Sequence, residues 1–137
     1  MRVLEIVHKK IGRKIPYPKW ADSACIVDAQ SVKNTSVSKQ KGYDAGKKIS
    51  GIKRHIAVDT NGLIHALEVT TADIPDRTGA VQMIERNTSN LSTLDNLMVD
   101  GGYSGNPFSN KVQQRIHSSV EVVKRSQLHT FAVFPKR

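Results

Sequence analysis

Two aspartates, Asp28 and Asp100, each follow a short apolar run, with Cys25, Ile26 and Val27 leading into the first and Asn-Leu-Met-Val into the second. Such runs read as strands. If the first is central in a sheet and a helical crossover lies between them, the two strands are parallel neighbours and the carboxylates meet at one end. Adjacent ionised carboxylates repel, raising the pKa of one unless a cation intervenes. A hard, oxygen-seeking ion such as Mg2+ removes that conflict and keeps water ligands for a substrate. Such a site activates an attacking water or hydroxyl and stabilises the leaving oxygen of a phosphodiester. The competing reading is that strand-end aspartates cap helices or bind turn amides; Gly101 and Gly102 make either role sterically easy.

The rest of the composition favours a polyanionic partner. Lys and Arg number 21 against 12 Asp and Glu, a formal charge of +9, which is the footprint of a nucleic-acid binder. No stretch approaches the roughly 20 apolar residues that span a bilayer, so a membrane is not expected as the partner. The opening MRVLEIVHKK lacks the apolar core of a signal peptide, which makes a cytoplasmic location the expectation. Lys39, Lys41, Lys47, Lys48, Lys53 and Arg54, with Tyr43 interleaved, crowd one passage and suit phosphate contacts. A solvated loop is the plainer alternative. GYDAGKK is not a phosphate loop: three residues separate Gly42 from Gly46, and Lys48 stands where Ser or Thr should hold magnesium. The five histidines show no metal-ligand spacing; His55, beside Arg54, is placed to touch phosphate. Tyr103 follows the glycine pair and is placed to position DNA or to pack. Cys25 is the sole cysteine, which excludes an internal disulfide and a thiolate zinc cage.

Those residues must be positioned by a single domain. A chain of 137 residues is large enough to remove roughly 68–70% of its unfolded surface from water. Residues 2–13 carry Val3, Ile6, Val7 and Ile11 at helical spacing, and IPYPKW, with Tyr17 and Trp20, reads as an extended linker. SACIVDAQSV reads as a central strand. Residues 34–53 are too polar to supply core strands and are expected to form a long surface loop. RHIAVDT and LIHALEVTT pair as a hairpin through Asn61-Gly62. Asp73 or Asp76 caps a helix carrying Val81 and Ile84 inward. NLMVD is a strand, PFSNKVQQRIH a helix with Phe108, Val112 and Ile116 on one face, and SVEVVKRS a last strand. This order predicts an α/β domain with a mixed sheet flanked by helices.

Three phrases carry a resemblance: VDAQSVKNT at 27–35, KGYDAGKKISGIKRHIAVDTNGLIHALEVTTADIPDRTGA at 41–80, and VDGGYSG at 99–105. They resemble, in order, the catalytic core of insertion-sequence transposases of the IS5 group (IS4/IS5-like), DDE transposases with a ribonuclease H-like fold. The resemblance covers roughly residues 24–137. It implies that Asp28, in the family's DSQSVK position, and Asp100, in DGGY, are the first and second ligands of Mg2+ or Mn2+. It implies DNA as partner, both insertion-sequence ends and target, gripped by Lys41, Lys47, Lys48, Lys53, Arg54 and Tyr103. A homo-oligomer or a full-length transposase is a further expected partner, and the location is the bacterial cytoplasm, on the nucleoid when DNA is bound.

The family's third acid is a glutamate after a Phe-x-Val-x-Pro-x-Arg stretch, and this chain has FAVFPKR at 131–137 as its last residues. The expectation is therefore a partial transposase: residues 1–20 a remnant of an N-terminal helical region and linker, residues 21–137 a truncated catalytic core lacking the final catalytic helix. Two activities stay open, strand cleavage and transfer or DNA and subunit binding without catalysis. Glu121, Glu68 and Asp73 are the substitute acids available, and an exposed strand face or helix capping accounts for each.

Overall fold

The computed structural model describes residues 23–35 and 37–123. The predicted helix over 2–13, the linker to Trp20, His8, His129 and the FAVFPKR stretch lie outside them. In chain order the elements are β1 (Ala24–Lys33), β2 (Gly42–Asp44), β3 (Ile49–Asp59), β4 (Ile64–Thr71), α1 (Asp76–Arg86), the single turn α2 (Thr88–Leu91), β5 (Asn96–Val99), a 3-10 turn (Gly101–Tyr103), α3 (Asn106–Ile116) and β6 (Ser119–Val122). The sheet runs β2-β3-β1-β5-β6, and β4 also pairs with β3. Strands β2, β3 and β4 are antiparallel to their neighbours, while β1, β5 and β6 run parallel. The mixed sheet and central first strand are as the sequence implies.

The β3–β4 turn forms where Asn61-Gly62 predicts it. Gly62 adopts φ 84, a conformation glycine reaches without a Cβ penalty, and its N–H donates to the Asp59 carbonyl at 3.0 Å. Asp59 locks the turn: Oδ1 accepts from the N–H groups of Asn61 at 2.8 Å and Leu63 at 3.0 Å, and Oδ2 lies 3.0 Å from His65 Nε2. Burial pushes this carboxyl upward, but those bonds outweigh it and hold it below the usual range.

Helix α1 starts differently from the expectation. Pro75 occupies the cap position, with no side-chain acceptor, so neither Asp73 nor Asp76 caps the helix. Asp76 is drawn to Lys53 instead, and Asp73 stands against Gly42. The helix buries Gly79, Ala80, Met83 and Ile84, leaving Val81 at the margin, and α3 buries Phe108, Val112 and Ile116 as its spacing predicts. Both pack on Cys25, Val27, Ala57, Leu97 and Val99 of the sheet. The Cys25 thiol is inert: burial, with Asp59 adding to it, pushes it up to about 12. Among the described residues no helix is long and apolar enough to cross a membrane.

The largest departure from expectation is the passage 34–53, which is not one long loop. It contains β2 and the first part of β3, paired Gly42 to Gly51 and Asp44 to Ile49. Its polar residues misled because they alternate. Lys53 and His55 are buried while Arg54 between them is exposed, a period of two hidden by charged residue types on the inward face.

His55 is fully buried; its Nε2 lies 3.0 Å from Thr70 Oγ1 and its Nδ1 has no hydrogen-bond partner. It is not a phosphate contact. Helix α1 reaches it only because residue 79 is glycine: a Cβ there would stand 2.1 Å from the ring. Gly79→Ala is expected to destabilise the fold by about 1–3 kcal/mol through overpacking, read as a lower urea midpoint at unchanged m-value.

The same ring sets an acid limit. Burial holds His55 down to about 4, Asp76 pulling the other way and Lys53 and Lys47 adding to the depression. An unfolded histidine titrates near ~6.5. Between those values the unfolded chain takes the proton and the folded one does not, so this contribution to stability falls as pH falls from about 6.5 to about 4. The loss is about 3 kcal/mol at most. Urea titrations across that window should show the slope, and His55→Gln should flatten it; an equal slope in both proteins would exclude His55 as the source.

Candidate functional site

The parallel register between β1 and β5 aligns the strand ends that lead to the two aspartates. Ala24 pairs with Asn96, Cys25 with Leu97 and Ile26 with Met98. The ladder ends there, two residues before Asp28 on β1 and two before Asp100, which follows the last residue of β5. The alternation that sends Val27 and Val99 into the core turns both aspartates the same way. On its other side Asp28 is flanked by Ile56 of β3. Beyond this point the strands part: β1 continues to Lys33, while the chain leaves β5 at Asp100. The carboxylates thus sit where the sheet opens, the usual place for a ligand in an open α/β sheet.

Each carboxylate is held by local backbone. Asp28 Oδ1 accepts from the Ala29 N–H at 2.8 Å. Asp100 has extended backbone and caps the 3-10 turn, its Oδ1 accepting from the Gly102 N–H at 2.8 Å. A Cβ on Gly102 would stand 3.0 Å from that oxygen, a tight contact that would push the carboxylate aside. The turn delivers Tyr103 into the core, where it is 2% exposed and its ring centroid lies 5.4 Å from that of Phe108. Its hydroxyl has no hydrogen-bond partner. Burial first, then the charges of Asp76, Asp28 and Asp100, push the phenol far above its ordinary range. The expectation that Tyr103 grips DNA is corrected: the ring packs inside.

A second cluster lies beside the first and was not anticipated. Lys53, 4% exposed, sets its ammonium 2.8 Å from Asp76 Oδ1 and 3.4 Å from Asp44 Oδ2, and donates to the Ile74 carbonyl at 2.8 Å. Asp44 Oδ2 also accepts from Ser31 Oγ at 2.6 Å, and its Oδ1 from the Lys47 N–H at 3.1 Å. The Ser31 bond is the main cause holding Asp44 down to about 2; burial opposes it, and the Lys47 amide and Lys53 assist. Lys47 reaches back over β1, its Nζ 3.4 Å from the Ala29 carbonyl and 4.0 Å from Asp76 Oδ2. Arg77 Nε donates to the Gly102 carbonyl at 2.8 Å, fixing the first turn of α1 to the turn after Asp100. Lys53 is thus corrected from phosphate contact to buried counter-ion. The available signal was its place two residues before His55 and four before Ala57 on an alternating strand.

The other basic residues differ in setting. Lys39, Lys41, Lys48 and Arg54 are exposed, with Arg54 Nη2 donating to Gln30 Oε1 at 2.7 Å across the β1–β3 pair. Lys48 takes φ 55 in the tight β2–β3 turn. The substitute acids are accounted for locally. Glu68 pairs with Arg86, and Glu121 is exposed and accepts from Asn96 Nδ2 at 3.0 Å. Among the described residues no group of three or more His, Cys, Asp or Glu side chains is arranged to hold a metal. An open groove of about 350 Å3 between α1 and α3, lined by Arg77, Gln82, Glu85, Phe108 and Lys111, does not include the aspartates.

Strand order and chain direction define a ribonuclease H-like domain. Residues 19–131 match the family described as the transposase DDE domain, and the chain belongs to that family. Its members act on DNA in transposition with divalent metal ions. No curated protein and no solved structure matches the chain.

Removing the central cation should expose how much the second cluster matters. Lys53→Met leaves the covered Asp44 and the partly exposed Asp76 without their cation. Because Asp76 keeps access to water, the loss should fall toward or below the low end of the roughly 3–5 kcal/mol that breaking a fully buried pair costs. Thermal or urea unfolding measures this directly; a loss under about 1 kcal/mol would show that the pair is solvated like a surface bridge.

Proposed function

We propose that Asp28 and Asp100 are the first two carboxylates of a metal-assisted strand-cleavage and strand-transfer centre of the IS5 group, acting on insertion-sequence ends and on target DNA. The observation that supports this reading is the parallel β1–β5 ladder, whose last pair, Ile26 with Met98, lies two residues before Asp28 and Asp100 on their respective strands. The donor chemistry fits a hard cation. Only carboxylate oxygens are offered, and Asp100 Oδ2 has no hydrogen bond from the described residues. Mg2+ or Mn2+ held there would neutralise charge on the phosphodiester and activate the attacking oxygen.

The chain's own groups then have defined tasks. Asp28 is held by the Ala29 amide and Asp100 by the Gly102 amide, and these two carboxylates would be the ones to hold the cation. Lys39, Lys41, Lys47, Lys48 and Arg54 line the DNA path, and residues 21–137 form the catalytic core. In the first reaction a water oxygen bonds to phosphorus as the bond to the 3′ oxygen breaks, leaving a 3′ hydroxyl. In the second that hydroxyl attacks a target phosphodiester, displacing the target's own 3′ oxygen.

A binding-only reading is favoured by one observation, the lack of a three-residue metal-holding group among the described residues. The two readings separate experimentally. A cut-and-join assay on duplex DNA with Mg2+ or Mn2+ should give product that Asp28→Asn abolishes; no product above that variant leaves only binding. DNA binding itself should follow salt. If about five phosphates are contacted, log affinity falls against log salt with a slope near −4 to −5.

A further inference from the structure

Lys47 differs from the other exposed lysines of its passage in being fixed in place. The β2–β3 turn that carries it is pinned at its start by Asp44, which accepts the Lys47 N–H at 3.1 Å while holding Ser31 and Lys53 with its other oxygen. The side chain then lies over β1, its ammonium 3.4 Å from the carbonyl of Ala29, the residue after Asp28. A second anchor, Asp76 Oδ2, stands 4.0 Å away, and Asp76 is itself held by Lys53 at 2.8 Å. The side chain of Lys47 remains 42% exposed, whereas that of Lys53 is 5% exposed. Along the series Asp44, Lys53, Asp76 and Lys47 the charges alternate, and the last is the cation that opens to solvent, at the residue after Asp28.

We propose that Lys47 is the phosphate-binding cation of the Asp28–Asp100 centre, contacting the DNA phosphate that also meets the metal, and not one more lysine of a diffuse basic surface. The inference rests on the metal-centre reading given above. An ammonium has three donors and no acceptor. One is directed at the Ala29 carbonyl at 3.4 Å, while Asp76 at 4.0 Å attracts the charge without a hydrogen bond, so donors remain for a non-bridging phosphate oxygen arriving over β1. Pre-placement lowers the ordering cost that a free lysine side chain would meet on binding. The positional support is that the ammonium lies at the carbonyl of the residue that follows Asp28.

The test measures the affinity of the full chain for a fluorescein-labelled duplex, with Mg2+ and with EDTA, alongside Mn2+ binding without DNA by electron paramagnetic resonance. In the unsubstituted chain Mg2+ should tighten DNA binding. Lys47→Ala should lose that gain, about tenfold or more, the size of one charge-assisted contact, with Mn2+ binding retained and Lys47→Arg keeping part of the gain. Lys48→Ala, removing the same charge one residue along, should weaken binding equally with and without Mg2+. Equal behaviour of Lys47→Ala and Lys48→Ala under both conditions overturns the proposal, as does an unsubstituted chain with no Mg2+ gain. Mn2+ binding unchanged by both Asp28→Asn and Asp100→Asn would instead bring down the metal reading beneath it. A thermal melt of each variant confirms that the half-exposed Lys47 is not needed for folding.

Discussion

The parallel pairing of β1 with β5 is the constraint on which the site depends. Only three residue pairs make the ladder, yet they fix the relative height of two segments widely separated in sequence. A slip of one residue would invert the facing of every side chain on β5. Leu97 and Val99 would then leave the core and Asp100 would turn away from Asp28. The core therefore sets the register: burying Cys25 and Val27 with Leu97 and Val99 fixes how the ends of β1 and β5 that lead to Asp28 and Asp100 align. The Gly101–Tyr103 turn completes the arrangement, because it takes the chain away after Asp100 and seats Tyr103 in the same core.

Beside that register stands the buried Lys53. An ammonium withdrawn from water is tolerable only with several partners, and here Asp76, Asp44 and the Ile74 carbonyl surround it. Those partners come from β2, from the turn before α1 and from its first residue, so satisfying one charge ties three otherwise separate elements together. It also explains why α1 begins without a side-chain cap: Asp76 serves Lys53. The macrodipole still favours a carboxylate in that first turn, so the two demands do not conflict.

Much of this was legible in the residues. Asn61-Gly62 marked the hairpin because positive φ is cheap there, and the spacing of Phe108, Val112 and Ile116 marked the buried face of α3. The two apolar runs leading into aspartate marked β1 and β5. What stayed hidden has one physical cause. The passage 34–53 reads as loop because charged and hydroxylated side chains are ordinarily solvated, whereas here Ser31, Asp44 and Lys53 satisfy one another across strands. Pairing partners distant in sequence cannot be inferred from local polarity. Tyr103 was ambiguous for a related reason: a tyrosine after two glycines suits either a surface contact or an anchor, and only the packing against Phe108 decides.

In a chain of net +9, the charge distribution bears on the proposed divalent-cation site. Close to the site, Asp44, Lys53, Asp76 and Lys47 pair off, two negative with two positive. Their fields largely cancel, so the negative charge of Asp28 and Asp100 is not neutralised from within that cluster. The exposed basic residues lie further out, where salt screens them over about 8–10 Å. A bound DNA backbone would screen them more completely, since it neutralises the lysines and brings its own condensed cations. Metal and DNA binding should therefore reinforce one another: each removes a repulsion that the other would meet.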